Sequence, residues 1–376
     1  MTLTPDALAD EVCSAGNFPA ECRSALRAVP REDFIPAQMW VQEVDGEDYQ
    51  PVDRQVDPER WLRNVYSDRV IVTQFDDGRT AWPKVGDRPT CSASMPSAVV
   101  GMLAELGAEL GDQVLEIGTG TGFNAALLAH IVGRAGTVTT VEIDRQLADV
   151  ARANLANAGV LNVEVEHGDG AASRADFARW SRVIATAGVR VGQLPYSWVR
   201  ESRPGAVIVA PMRADLASGP LVRFEVGNDG TATGHAVADL RVGFMELRNQ
   251  RVASSMSDLR WDDENADVTY TDLAPWTLLL AENDRWPLAV ALPSCRYDVW
   301  EKTTDRPGVA WLRDPLSLSW ASVVREGEQY TVRQHGPRRL WDEAEAAYRW
   351  WRQRGAPPLE AWNWTVSADR QTVTLP

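Results

Sequence analysis

The sequence predicts an α/β fold: a parallel-type, doubly wound sheet joined to a C-terminal α+β unit. Three observations carry this reading. Between residues 97 and 212, continuous apolar runs of strand length alternate with helix-period segments, as expected of strands covered on both faces by crossover helices. A glycine-rich turn, Gly118-Thr119-Gly120-Thr121-Gly122, follows the run VLEI and opens a helical segment. After about residue 250 the texture changes, with eleven of the sixteen tryptophans in the last 126 residues.

The elements follow in order. Leu8 and Val12, then Cys22, Leu26 and Val29, are spaced for helices, with a break near Gly16-Asn17-Phe18-Pro19. They close on VPREDFIP (29–36), where Pro30 and Pro36 end any helix. Residues 41–90 are rich in Asp, Pro and short β-like pieces such as VIVTQF (70–75), and read as a loop-and-hairpin region. AVVGMLAEL is an amphipathic helix, VLEIG a strand, ALLAHIV a helix and TVTTVEI a strand. LADVARANLANAG is a helix closed by Gly159, and VEVEH, RVIATAG and AVIVAPM are further strands. In the C-terminal part, DEAEAAYRWWRQRG is a helix with its stop at Gly355. This divides the chain into an N-terminal helical and hairpin region (1–90), a core (91–250) and a Trp-rich unit (251–376).

Bulk properties narrow the function. A 376-residue chain that is 44% hydrophobic can build two or three real cores. A net charge of −15 argues against a nucleic-acid backbone as the main partner, since that binding needs clustered Lys and Arg. The N-terminus, MTLTPDALADEV, lacks the basic and apolar regions of a signal peptide, and no apolar run approaches the roughly 18–20 residues of a membrane span. The expectation is a soluble cytoplasmic protein. Cys13, Cys22, Cys91 and Cys295 have no metal-site spacing and read as buried thiols, and the four histidines do not cluster, so no metal is expected.

The glycine turn carries the chemistry. A strand that ends in glycines and feeds a helix offers bare backbone N–H groups at a positive helix end. Dinucleotide binding wants G-x-G-x-x-G, and position 123 is Phe. The form E-x-G-x-G-x-G instead resembles motif I of the class I methyltransferases, which bind S-adenosylmethionine and release S-adenosylhomocysteine. The resemblance implies a Rossmann-like class I methyltransferase fold and a set of cofactor contacts. Gly118, Thr119, Gly120, Thr121 and Gly122 would form the turn, and Glu116 suits the cationic side of the ligand. Glu142, ending the next strand, is placed to accept the ribose hydroxyls, with Ile143 packing on adenine. Gly168-Asp169-Gly170 follows VEVEH, and the Asp169 carboxylate could accept from the adenine amino group.

The resemblance sharpens around the turn. VPREDFIP, a Ser-x-Pro at Ser94-Met95-Pro96, GDG at 168–170, RVIATAG (182–188) and Leu194-Pro195 before RPGAVIVAPM together resemble the protein-L-isoaspartate O-methyltransferase family over roughly residues 1–250. That family places a serine before the helix leading into motif I. Ser94 fits that place because Pro96 follows two residues on, and Ser92 competes with it. The chain departs from the family at Met95, where Gln or Ala is usual, and where T-A-A-A-P becomes Thr186-Ala187-Gly188-Val189-Arg190. In the family both places face the protein-substrate side. Met95, Thr186 and Arg190 are therefore expected to bear on substrate choice, together with Ser92.

The chemistry implied is simple. An aspartate carboxylate is ionised at neutral pH and needs no general base. The enzyme must hold one oxygen in line with the sulfonium methyl, so catalysis is mainly proximity and orientation. Ser94 would donate to the other oxygen. The C-terminal 126 residues, taken as an addition that repair enzymes lack, resemble the extended members found beside ribosomally made, modified peptides, graspetides among them. Those methylate an ordinary Asp, whose ester closes to aspartimide. The tryptophans read mostly as core. Trp350 and Trp351 lie about 100° apart on a helix, so a narrow stripe would not bury both. Trp362 and Trp364 would share one strand face as a broad aromatic surface that grips a peptide macrocycle. Asp262-Asp263-Glu264 reads as a solvated loop. Three readings result: an Asp-directed methyltransferase acting on a cyclised precursor peptide, an isoaspartyl repair methyltransferase, and a non-catalytic peptide-binding scaffold.

Overall fold

The structure is a computed structural model that describes residues 3–14, 16, 18–42, 48–173, 178–252, 265–280, 285–300, 308–326 and 329–375. The acidic run at 262–264 lies outside these residues, as does Asn17 of the break between the first helices.

Two short helices, α1 (Pro5–Ser14) and α2 (Ala20–Ala28), bury Leu8, Val12, Cys22 and Leu26. The next region forms a four-stranded antiparallel sheet, ordered β2-β1-β3-β4, from β1 (Gln38–Gln42), β2 (Tyr49–Asp53), β3 (Ile71–Phe75) and β4 (Pro89–Ala93). The helix α3 (Pro58–Val65) interrupts it, capped by Asp57, whose side chain accepts the Arg60 N–H. The reading of 41–90 as hairpins omitted this helix, which has a proline at its first turn and an eight-residue length that periodicity cannot flag.

The central sheet begins after α4 (Pro96–Leu106), which starts on Pro96 and stops at left-handed Gly107. Then come β5 (Gln113–Ile117), α5 (Phe123–Val132), β6 (Thr137–Glu142), α6 (Arg145–Asn157), β7 (Val163–His167), β8 (Trp180–Ala185), β9 (Val189–Arg190), α7 (Tyr196–Arg200), β10 (Ser202–Arg213), β11 (Ser218–Val226) and β12 (Ala232–Arg241). The run β7-β6-β5-β8-β10 is parallel, and β11 and β12 continue it antiparallel. The sheet is therefore mixed, because β10, β11 and β12 follow one another by short reversals with no crossover helix. The chain winds outward from β5 to β7 and returns beside β5 as β8. That reversal opens a crevice at the carboxyl ends of β5 and β8, where open α/β sheets bind ligands.

The C-terminal part contains β13 (Asp267–Thr271), α8 (Pro275–Leu279), α9 (Trp286–Ala291), β14 (Arg296–Trp300), β15 (Val309–Asp314), β16 (Ser319–Glu326), β17 (Gln329–His335) and α10 (Leu340–Gln353). Its five strands form an antiparallel sheet ordered β13-β17-β16-β15-β14, packed on α10. The chain then re-enters the central sheet. β18 (Asn363–Val366) pairs with β12, and β19 (Gln371–Thr374) pairs with β18. One continuous apolar cluster joins Trp198, Met212 and Phe224 of the core to Trp286, Trp341 and Trp364.

The tryptophans divide accordingly. Trp351 is buried and Trp350 is 36% exposed, as their helical offset requires. Trp362 and Trp364 do not form an exposed surface: both are buried. Trp364 lies against Phe224 and Trp286, with ring centroids 6.4 and 5.7 Å away. The strand that carries it is covered by the C-terminal helices, which sequence spacing alone could not show. Trp364→Ala is expected to cost about 3–5 kcal/mol in a denaturant titration, the range for a buried Trp truncation. A loss of under about 0.5 kcal/mol would instead mark a surface residue.

Candidate active site

A cleft of about 610 Å³ lies at the switch point. Its floor is the glycine turn. Gly118, Gly120 and Gly122 all have positive φ (+95°, +55° and +95°), so the chain leaves β5 by a path that residues with a Cβ rarely take. At Gly118 a Cβ would also stand 2.7 Å from the Thr186 hydroxyl at the end of β8. That hydroxyl donates to the carbonyls of Ile117 and Gly118, joining the two strand ends that bound the crevice.

Glu142 closes β6 on one side of the turn. Its carboxylate accepts the Gly120 N–H (2.9 Å) and the Asp144 N–H (3.0 Å). It is only 6% exposed, and what is exposed faces the cleft beside Ile143. Burial raises its carboxyl above the usual range. Asp144, next in the chain, caps α6 by accepting from Gln146 and Leu147. Asp169 and Gly170 line the cleft. The Asp169 carboxylate accepts the Ala171 N–H (2.9 Å) and the Asn249 amide (3.0 Å). Gly168 stands back from the cleft and donates its N–H to the Glu142 carbonyl.

Glu116 differs from the expectation. It is fully buried, does not line the cleft, and accepts from Asn124 (2.7 Å) and from the Thr140 hydroxyl (2.5 Å). Thr140 is itself 2.7 Å from the Thr119 hydroxyl. These side chains brace the glycine turn from behind, linking β5, β6 and the first turn of α5. Burial pushes the Glu116 carboxyl up to about 7.

The opposite wall comes from β4 and the segment after it. Ser92, Ser94 and Met95 all line the cleft, and Met95 precedes the helix-starting Pro96. The Ser94 carbonyl accepts from the Arg31 guanidinium at 2.8 Å. That guanidinium, 1% exposed, also donates to the carbonyls of Val65, Ser67, Arg69 and Ala93. Arg31 comes from VPREDFIP. Its role explains why an arginine sits there: five carbonyls from two segments, 65–69 and 93–94, converge, and a planar fork can serve them together. Burial lowers it to about 10, so it stays charged at neutral pH.

Residues 241–251 cross the cleft as a strap and escaped the sequence reading, because the contacts that place them there, to Gly188, Arg190, Asp77 and Asp144, are long-range. Phe244, Met245, Leu247, Arg248 and Arg251 line the cleft. Arg248 pairs with Asp77 (3.2 Å) and Asp144 (3.5 Å), and Arg251 with Asp77 (2.8 Å). Arg190, expected on the substrate side, does not line the cleft. It is 3% exposed and lies behind the strap, between Asp215 and Glu246.

The profile of the protein-L-isoaspartate(D-aspartate) O-methyltransferase family matches residues 50–250. The chain belongs to this family. A protein-L-isoaspartate O-methyltransferase of Thermotoga maritima is 30% identical over 198 residues, covering 51% of this chain and 59% of that protein. An enzyme of the same name from Nitrosospira multiformis is 34% identical over 239 residues, covering 63% and 83%. A solved structure titled protein-L-isoaspartate O-methyltransferase shares the fold with a TM-score of 0.55 at 20% identity, covering 99% of both chains. That coverage corrects the expectation that such proteins lack a counterpart to the C-terminal part. The family consists of S-adenosylmethionine-dependent carboxyl O-methyltransferases, and the site suits that cofactor. Gly118 and Gly120 line the cleft without a Cβ, while Gly122, expected among the cofactor contacts, stands back from it against Ala151 and Leu155, and a buried carboxylate, Glu142, faces the cleft.

The raised Glu116 carboxyl has a consequence for stability. Its folded value near 7 lies above the ordinary 4.5. Its contribution is therefore fully present below the unfolded value and is lost as pH rises through about 7. Glu116→Gln, which mimics the protonated form, should melt with less pH dependence than the parent between about pH 5 and pH 7. An unchanged slope in thermal melts would show that Glu116 ionises normally.

Proposed function

We propose that this chain methylates the side-chain carboxylate of an aspartyl residue in a modified ribosomal peptide, the ester then closing to aspartimide. The observation that carries this reading is the division of the cleft. On one side stand the glycine turn, Glu142, Ile143 and Asp169, all matching the family's cofactor pattern. On the other stand Ser92, Ser94, Met95 and Thr186, with Gly188 and Arg190 behind, and here the chain keeps the family's serine and threonine but departs from its pattern at Met95, Gly188 and Arg190.

S-adenosylmethionine, when bound, supplies an electrophilic methyl group and leaves as a neutral thioether. Glu142 would hold the ribose hydroxyls, Ile143 the adenine face, and Asp169 the adenine amino group, exchanging its present Asn249 partner. The Ser94 hydroxyl would donate to one oxygen of the acceptor carboxylate and so orient the other. Arg31 fixes the backbone that presents Ser94. After transfer, the acceptor's following backbone nitrogen attacks the ester carbonyl, the C–O bond to methoxide breaks, and the amide proton leaves with it as methanol. That ring closure needs no group from this chain. Residues 251–376 act in this reading by shaping the acceptor side of the cleft.

A second reading is methylation of isoaspartyl residues in proteins. It is favoured by the names of the relatives and by the whole-length likeness to a solved protein of that name, C-terminal part included. The two separate in one assay. The intact chain is incubated with S-adenosylmethionine and either a cyclised precursor peptide with ordinary Asp or a linear isoaspartyl peptide. Mass spectrometry should record the gain of one methyl group and then the loss of methanol on the cyclised peptide alone. Methylation confined to the isoaspartyl peptide would establish the second reading and reject the first.

A further inference from the structure

Arg190 has no access to the cleft, yet it holds the strap that does. Its backbone N–H donates to the Gln250 side chain (2.8 Å) and its Nε to the Gln250 carbonyl (3.0 Å). One terminal nitrogen pairs with Glu246 (3.1 Å), and both reach Asp215 (3.3 Å). The other also donates to the Pro293 carbonyl (3.4 Å), in the C-terminal part, whose Arg296 shares Asp215 (3.5 Å). Two residues earlier, Gly188 donates to the Met245 carbonyl (2.7 Å) and accepts from the Leu247 N–H (2.9 Å). A Cβ at Gly188 would stand 2.9 Å from the Phe244 carbonyl, so the strap could not lie this close beside any other residue. Gly188 and Arg190 are both departures from the family's T-A-A-A-P.

We propose that Arg190 is a positioning residue for the acceptor side of the cleft. Its guanidinium locks the strap 244–250 to β9 and ties both to the C-terminal part at Pro293, while Gly188 lets the strap seat. The strap places Phe244, Met245 and Leu247 against the acceptor, so the C-terminal part governs acceptor binding through this buried fork without touching the acceptor there. The inference rests on the reading that this wall receives the acceptor peptide.

Arg190→Lys keeps one positive charge between Asp215 and Glu246 but cannot serve Gln250 and Pro293 at once. Arg190→Gln removes the charge, and Gly188→Ala displaces the strap with no change of charge. In the full-length protein, hydrogen exchange at the Leu247 and Gly188 amides should accelerate at least about tenfold in all three, while amides of α5 stay unchanged. The dissociation constant for S-adenosylhomocysteine should stay within about twofold. With whichever peptide the parent methylates, KM should rise about tenfold or more with kcat nearly constant, least in Arg190→Lys. A uniform rise in exchange across the chain, or an equal loss of S-adenosylhomocysteine affinity, would make Arg190 a general stabiliser and overturn the proposal. Should the parent methylate neither peptide, the reading of the acceptor falls, and the exchange pattern still decides whether Arg190 positions the strap.

Discussion

The carboxylate of Glu142 and the amide of Gly120 meet at 2.9 Å, and the cleft is arranged around that contact. It joins the end of β6 to the turn that leaves β5, so two neighbouring strands finish in one shared wall. For this to happen the turn must follow a left-handed path, which three glycines permit, and must be supported from beneath. Glu116 supplies the support through Asn124, Thr140 and Thr119. Two carboxylates therefore flank one turn in opposite roles. One is sealed and holds secondary structure together. The other is nearly buried yet lines the cleft, where a hydroxyl-bearing ligand can compete for it.

The far wall is built on a different principle. The turn side depends on local sequence, with strand end, turn and helix start within a few residues of one another. The opposite wall is assembled from distant pieces, and buried arginines join them. Arg31 gathers carbonyls from around Val65, Arg69 and Ser94. Arg190 gathers Gln250, Asp215, Glu246 and Pro293. An isolated buried guanidinium would be costly, but the terminal nitrogens of both meet several acceptors, and Arg190 has two carboxylates as well. Each fork fixes several backbone segments at once, which a hydrophobic side chain could not do.

This contrast explains how far the sequence could be read. The glycine turn, Glu142, the GDG loop and Ser94-Met95-Pro96 were legible because each motif is contiguous and its chemistry is local. Glu116 was assigned to the right strand, but alternation of faces, not motif membership, decides which way a strand residue points. Arg31 was visible as part of VPREDFIP without its reason, since its five partners lie 34 to 63 residues away. The strap 241–251 carried no periodic signal. The return of β18 and β19 to the central sheet was hidden as well, because pairing with β12 is set by tertiary packing. That pairing turns Trp364 from an apparent surface residue into core, and Trp362, just before β18, is buried beside it.

The most direct test of this account is the binding of S-adenosylhomocysteine to the intact chain by titration calorimetry, with the parent and Glu142→Ala compared. The account predicts one site per chain in the parent and an affinity at least about tenfold weaker in the variant, a loss of about 1.4 kcal/mol or more. Binding of equal strength in both would contradict the placement of the cofactor's sugar at Glu142. No binding by the folded parent would contradict the site itself.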